Sequence, residues 1–77
     1  MNENAPALFP SPPVAIRQQM IQEHSEFAEK FVKLDCFIKY NDKFSELDPE
    51  DQRLMVQQRK HMAAYLDTLH ARILKNG

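Results

Sequence analysis

The residues of this chain that can do chemistry at neutral pH are three histidines (His24, His61, His70) and one cysteine, Cys36. An imidazole becomes a base or a metal ligand, and a thiol a nucleophile, only when a neighbouring group tunes it. The spacings supply no such neighbour. His24 falls on an apolar stripe one helical turn before Phe27, where it should pack against Leu69 or Arg72 and be satisfied locally. No two histidines stand four residues apart and no H-E-x-x-H segment occurs, so no helical metal pair exists within one chain. Cys36 stands beside Val32 on a second, weaker apolar stripe and reads as a buried structural thiol. Glu23, Glu26 and Glu29 share the polar side of one helix, and no two carboxylates occupy settings that would split their proton affinities. The single glycine is Gly77, which rules out a glycine-rich phosphate loop. The expectation is a protein that is not an enzyme, with no cofactor and no metal.

Binding chemistry is better represented. Arg59-Lys60-His61 is the densest basic run, Tyr65 follows one turn later, and Arg72 lies towards the other end of the same helix. Cationic groups beside an aromatic face suit a phosphate attached to a stacked base, so Arg59, Lys60, His61, Tyr65 and Arg72 are the candidate ligand-binding set. Gln58 falls in the middle of an apolar stripe, where an amide would set the register of packed helices.

The elements that must position these groups are legible from punctuation and period. Residues 1–13 contain Pro6, Pro10, Pro12 and Pro13 and read as an extended arm, since proline fixes φ and donates no hydrogen bond. Leu8 and Phe9 are the large apolar groups of that arm. Residues 14–77 read as a helical hairpin. Ser11 caps and Pro12 opens a first helix running to Tyr40, with Ile16, Met20, Phe27, Phe31, Leu34 and Ile38 in one stripe. Asn41-Asp42 breaks it, and Phe44 and Leu47 tuck under the corner as a single helical turn. Asp48 then caps and Pro49 opens a second helix, with Glu50 and Asp51 complementing its dipole. Its stripe holds Met55, Gln58, Met62, Tyr65, Leu66, Leu69 and Ile73. Antiparallel packing of the two stripes sets Phe27 opposite Tyr65.

An all-α hairpin of 77 residues with one cysteine cannot use an internal disulfide, and chains this small commonly gain stability by association. Each helix carries the second stripe that association needs: Ile21, Ala28, Val32 and Cys36 on one, Val56, Ala63, His70 and Leu74 on the other. A homo-oligomeric bundle or ring follows as the expectation, with Leu8, Phe9, Val32, Cys36, Val56 and Ala63 as candidate protein-interface residues. A net charge of −1 gives no drive towards duplex nucleic acid or an anionic membrane surface. The apolar runs are too short to span a bilayer, and the first residues lack the pattern of a secretory signal. A cytoplasmic setting fits.

Phe44-Ser45-Glu46-Leu47 followed by Asp51-Gln52, Leu54-Met55, Gln58, Met62, Tyr65, Leu69 and Arg72-Ile73 resembles a widespread family of small bacteriophage and prophage proteins. Those read F-x-x-L, then D-Q-x-L-[LM]-x-x-Q-x-x-x-M-x-x-Y-x-x-x-L-x-x-R-I. The resemblance covers about half the chain and rests on packing residues, so it is specific for fold. It implies a phage accessory protein acting in the host cytoplasm against the host or its defences. Phage anti-defence proteins of similar size, also helical hairpins, assemble into rings and sequester cyclic nucleotide immune signals. Their likeness to this chain is architectural alone. Two functions are therefore expected: sequestration of a nucleotide immune signal by an oligomeric helical assembly, or inhibition of a host enzyme or regulator through the helical faces or the proline-rich arm.

Overall fold

In a computed structural model, which describes residues 13–76, the chain is helical with no strand among the described residues. Three elements follow one another: α1 (Pro13–Tyr40), α2 (Lys43–Glu46) and α3 (Pro49–Lys75). The long helices α1 and α3 pack against each other, and the single turn α2 forms the corner between them. Ser11 and Pro12, expected to open α1, lie outside the described residues, as do Leu8, Phe9 and the rest of residues 1–12, while Pro13, read with the arm, is the first residue of α1.

The corner is built by the residues that punctuate the sequence. Asn41 Oδ1 accepts from the Lys43 amide at 2.8 Å, and Ser45 Oγ donates to the Asp42 carbonyl at 2.9 Å. Phe44 lies edge-on to Phe37 with ring centroids 6.3 Å apart, which pins the turn to the end of α1. Asp48 adopts extended backbone and its Oδ1 accepts from the Asp51 amide at 2.8 Å. That bond satisfies one of the orphan donors at the helix start, with Pro49 immediately following. Gln52 fastens the two elements: its Nε2 donates to the Leu47 carbonyl at 2.8 Å and to the Ser45 carbonyl at 3.3 Å. The corner and the start of α3 are thus one hydrogen-bonded unit.

The core sits at the open end of the hairpin. Met20, Leu69 and Ile73 are buried together with Ile16 packed against them, and Leu66 is buried nearby. Towards the corner the seam is only half covered: Phe27, Phe31, Leu34, Ile38, Met55 and Met62 are all partly exposed. A pair of helices has one line of contact, so a stripe wider than that line spills onto its flanks.

Two expectations about single residues are corrected here. Cys36 is exposed, not buried. Its stripe advances by four-residue steps from Ala28 to Val32 to Cys36, and each step turns about 40° further round the helix, so by Cys36 it has rotated towards solvent. Gln58 is also exposed and lies on the flank of the seam, so it is not a buried register-setting amide.

Candidate functional site

The proposed binding run Arg59-Lys60-His61 does not converge on one spot. Consecutive helical residues are about 100° apart, and each of the three takes a different surroundings. Arg59 turns to α1, where its guanidinium donates to Asp35 Oδ1 at 3.0 Å. Lys39, one turn beyond Asp35, reaches the other oxygen at 3.0 Å. The Lys39 ammonium and then the Arg59 guanidinium hold the Asp35 carboxyl below its ordinary value, and the same carboxylate raises Lys39. Arg59 is therefore engaged in joining the two helices. Lys60 is exposed between the flanks.

His61 faces the opposite flank, where Phe27 of α1 and several residues of α3 border a shallow, open groove of about 670 Å³. Phe27 and Tyr65 form its aromatic wall, with centroids 4.8 Å apart and an edge-on angle of 66°. Leu54 and Met62 supply the apolar floor, while Gln57, Gln58 and His61 place polar groups at the rim. The aromatic pair is shared with an adjoining hollow of about 360 Å³, bordered by Glu23, Glu26 and Lys30. Tyr65 remains 41% exposed, so part of its side chain stays open to solvent beside Phe27. Arg72 follows Tyr65 by two turns on the same face and is exposed, beyond the residues lining the groove.

The arrangement suits a flat, partly apolar ligand held by contact and hydrogen bonds. An exposed aromatic face offers stacking to a base, and glutamine amides donate and accept along a base edge. Lys30 and His61 stand at opposite margins for an anionic group. Glu23 and Glu26 disfavour a bare phosphate beside them and accept readily from ribose hydroxyls or exocyclic amines. Of the sequence-derived set, His61 and Tyr65 share the groove. Arg59 is held elsewhere, Arg72 lies beyond the groove on the same face, and Lys60 is exposed without lining it. Phe27, Leu54, Gln57 and Lys30 were not among the expected ligand residues. For Phe27 and Lys30 the signal is the pairing of Phe27 with Tyr65, which fixes the α1 residues beside that groove; for Leu54 and Gln57 it is helical spacing from His61 and Tyr65 on α3.

On the other flank, His24 meets His70 with centroids 6.0 Å apart, where Leu69 or Arg72 was expected. Among the described residues no group of three or more His, Cys, Asp or Glu side chains could hold a metal ion. No described helix is long and apolar enough to cross a membrane.

No curated protein and no solved structure matches the chain significantly. A family profile does: Sequestin, over residues 15–75. The match begins within α1 and runs through the corner and α3, so it takes in the groove and the ion pair alike. The chain belongs to the Sequestin family.

Proposed function

We propose that this protein is a non-enzymatic phage or prophage accessory protein that inhibits a host defence pathway by sequestering a nucleotide immune signal. The family name denotes sequestration of some ligand, and the observation that carries the finer reading is the Phe27–Tyr65 groove. A base stacked on Tyr65 would have its edge near Gln57 and Gln58. Its phosphate would lie towards His61 or Lys30, away from Glu23 and Glu26. Sequestration asks only for affinity and abundance, so neither a tuned nucleophile nor a general base is needed.

Self-association belongs to the same reading. A single copy offers an open groove with few free cations, and a ligand with two phosphates would need a second chain to enclose it. The test is a calorimetric screen of the full chain against cyclic dinucleotides, cyclic mononucleotides and ADP-ribose derivatives. Saturable binding of one class supports the reading, and no heat or thermal stabilisation from any class removes it.

A further inference from the structure

We infer that His24 and His70 form a two-ligand site for a divalent transition-metal ion such as zinc, and that the bound ion fastens α1 to α3. Spacing along one helix misses this pair, because its members come from two. The inference goes beyond the proposed function and does not rest on it, since the pair lies on the flank away from the Phe27–Tyr65 groove.

The backbone sets the two imidazoles in place. His24 follows the buried Met20 by one turn, and His70 adjoins the buried Leu69, so the best-packed stretch of the seam fixes their separation. The Asp35–Arg59 ion pair marks the same register nearer the corner. Asp35 lies eleven residues after His24 and Arg59 eleven residues before His70, about three turns in each helix. One flank therefore carries an ionic cross-contact towards the corner and an imidazole cross-contact towards the open end.

The geometry suits a shared ion. The ring centroids are 6.0 Å apart with the planes inclined by 50°. A metal–nitrogen bond of about 2.0–2.1 Å puts two imidazole centroids on one ion about 5.2 Å apart at a tetrahedral angle and about 6.4 Å apart when opposed. The observed separation lies inside that range. His24 is half-buried and His70 exposed, so the outer ring can turn a nitrogen onto an ion while the inner one stays packed.

The chemistry of the donors selects the ion. Neutral imidazole suits zinc, nickel and copper, whereas magnesium and calcium take oxygen ligands. Among the described residues no larger His, Cys, Asp or Glu group could hold a metal, so the chain supplies two ligands and water completes the shell. Such an open site binds more weakly than a closed four-ligand one. No cation stands three or four residues from either histidine, and the charged residue at those positions is Asp67, whose carboxylate favours a nearby positive ion. The two histidines come together only in the folded hairpin, so the ion stabilises the fold by linkage.

The test is calorimetry and thermal unfolding of the full chain, stripped of metal by a chelator, against zinc chloride, with magnesium chloride as control. Zinc should bind at one ion per chain. At ten times its dissociation constant it should raise the melting temperature by roughly 6–11 °C, and magnesium should not. His24→Gln and His70→Gln should each abolish the rise. His70 is exposed, so His70→Gln should do so with the helical circular dichroism intact. Cys36→Ser and His61→Gln should keep the rise, which separates the pair from the exposed thiol and the remaining histidine. No response to millimolar zinc, an equal response to magnesium, a rise that survives His70→Gln, or one lost in Cys36→Ser would overturn the inference.

Discussion

Truncating Tyr65 to alanine separates the groove's binding role from its packing role. The Tyr65 ring meets Phe27 edge-on at 4.8 Å and is 41% exposed. Removing it costs the aromatic pair, about 0.5–1.5 kcal/mol, without leaving a sealed cavity, because water can enter the space. At about 4–8 °C per kcal/mol for a domain of this size, the melting temperature should fall by roughly 2–12 °C. Loss of a stacked base is worth about 1–3 kcal/mol, so ligand affinity should drop by roughly 5- to 150-fold. Tyr65→Phe keeps the π-face and should bind within a few-fold of wild type. Calorimetry with the ligand class found in the screen, run well below the melting temperature, makes the comparison. If Tyr65→Ala remains folded and binds as tightly as wild type, the ring does not carry the ligand and the groove is not the site.

Other perturbations read the scaffold. Leu69 is almost fully buried beside Met20 and Ile73. Leu69→Ala should therefore cost about 2–5 kcal/mol and lower the melting temperature by about 8 °C or more at about 4–8 °C per kcal/mol. Asp48→Ala removes the acceptor for the Asp51 amide and should cost about 1 kcal/mol, measured as a shifted denaturation midpoint. Acid sensitivity follows from Asp35, whose folded pKa is depressed below its ordinary 3.8 by Lys39 first and Arg59 next. A depressed carboxyl contributes stability above its unfolded pKa and loses it as pH falls through the folded value. The contribution should thus be intact at neutral pH and disappear below 3.8. Urea midpoints for wild type and Asp35→Asn should converge there and diverge above it.

Much of this architecture is legible in the residues because its signals are local. The Asn41-Asp42 break, the Asp48 cap before Pro49 and the Phe44–Leu47 turn each depend on neighbours within a few positions, and each stands where the sequence places it. The opposition of Phe27 and Tyr65 is also readable, since two stripes running in opposite directions from a known corner have one register. What escapes is rotation about the helix axis. A seam has a narrow line of contact, so Gln58 and Tyr65 roll from the stripe onto the flank, and Cys36 turns to solvent. The partner of His24 likewise shifts by one residue to His70. The Asp35–Arg59 pair spans 24 positions and depends on which flanks meet, which no local pattern encodes. For that reason the basic run looks like one patch in sequence and divides in space.

The most direct test of sequestration is recovery of the ligand. Full-length protein is mixed with a slight molar deficit of the nucleotide that the calorimetric screen identifies, the free fraction is measured by filtration, and the protein is then heat-denatured. The account predicts that the nucleotide disappears from the filtrate and returns quantitatively and chemically unchanged after denaturation. Nucleotide that stays free in the filtrate, or returns as a cleaved product, would contradict it.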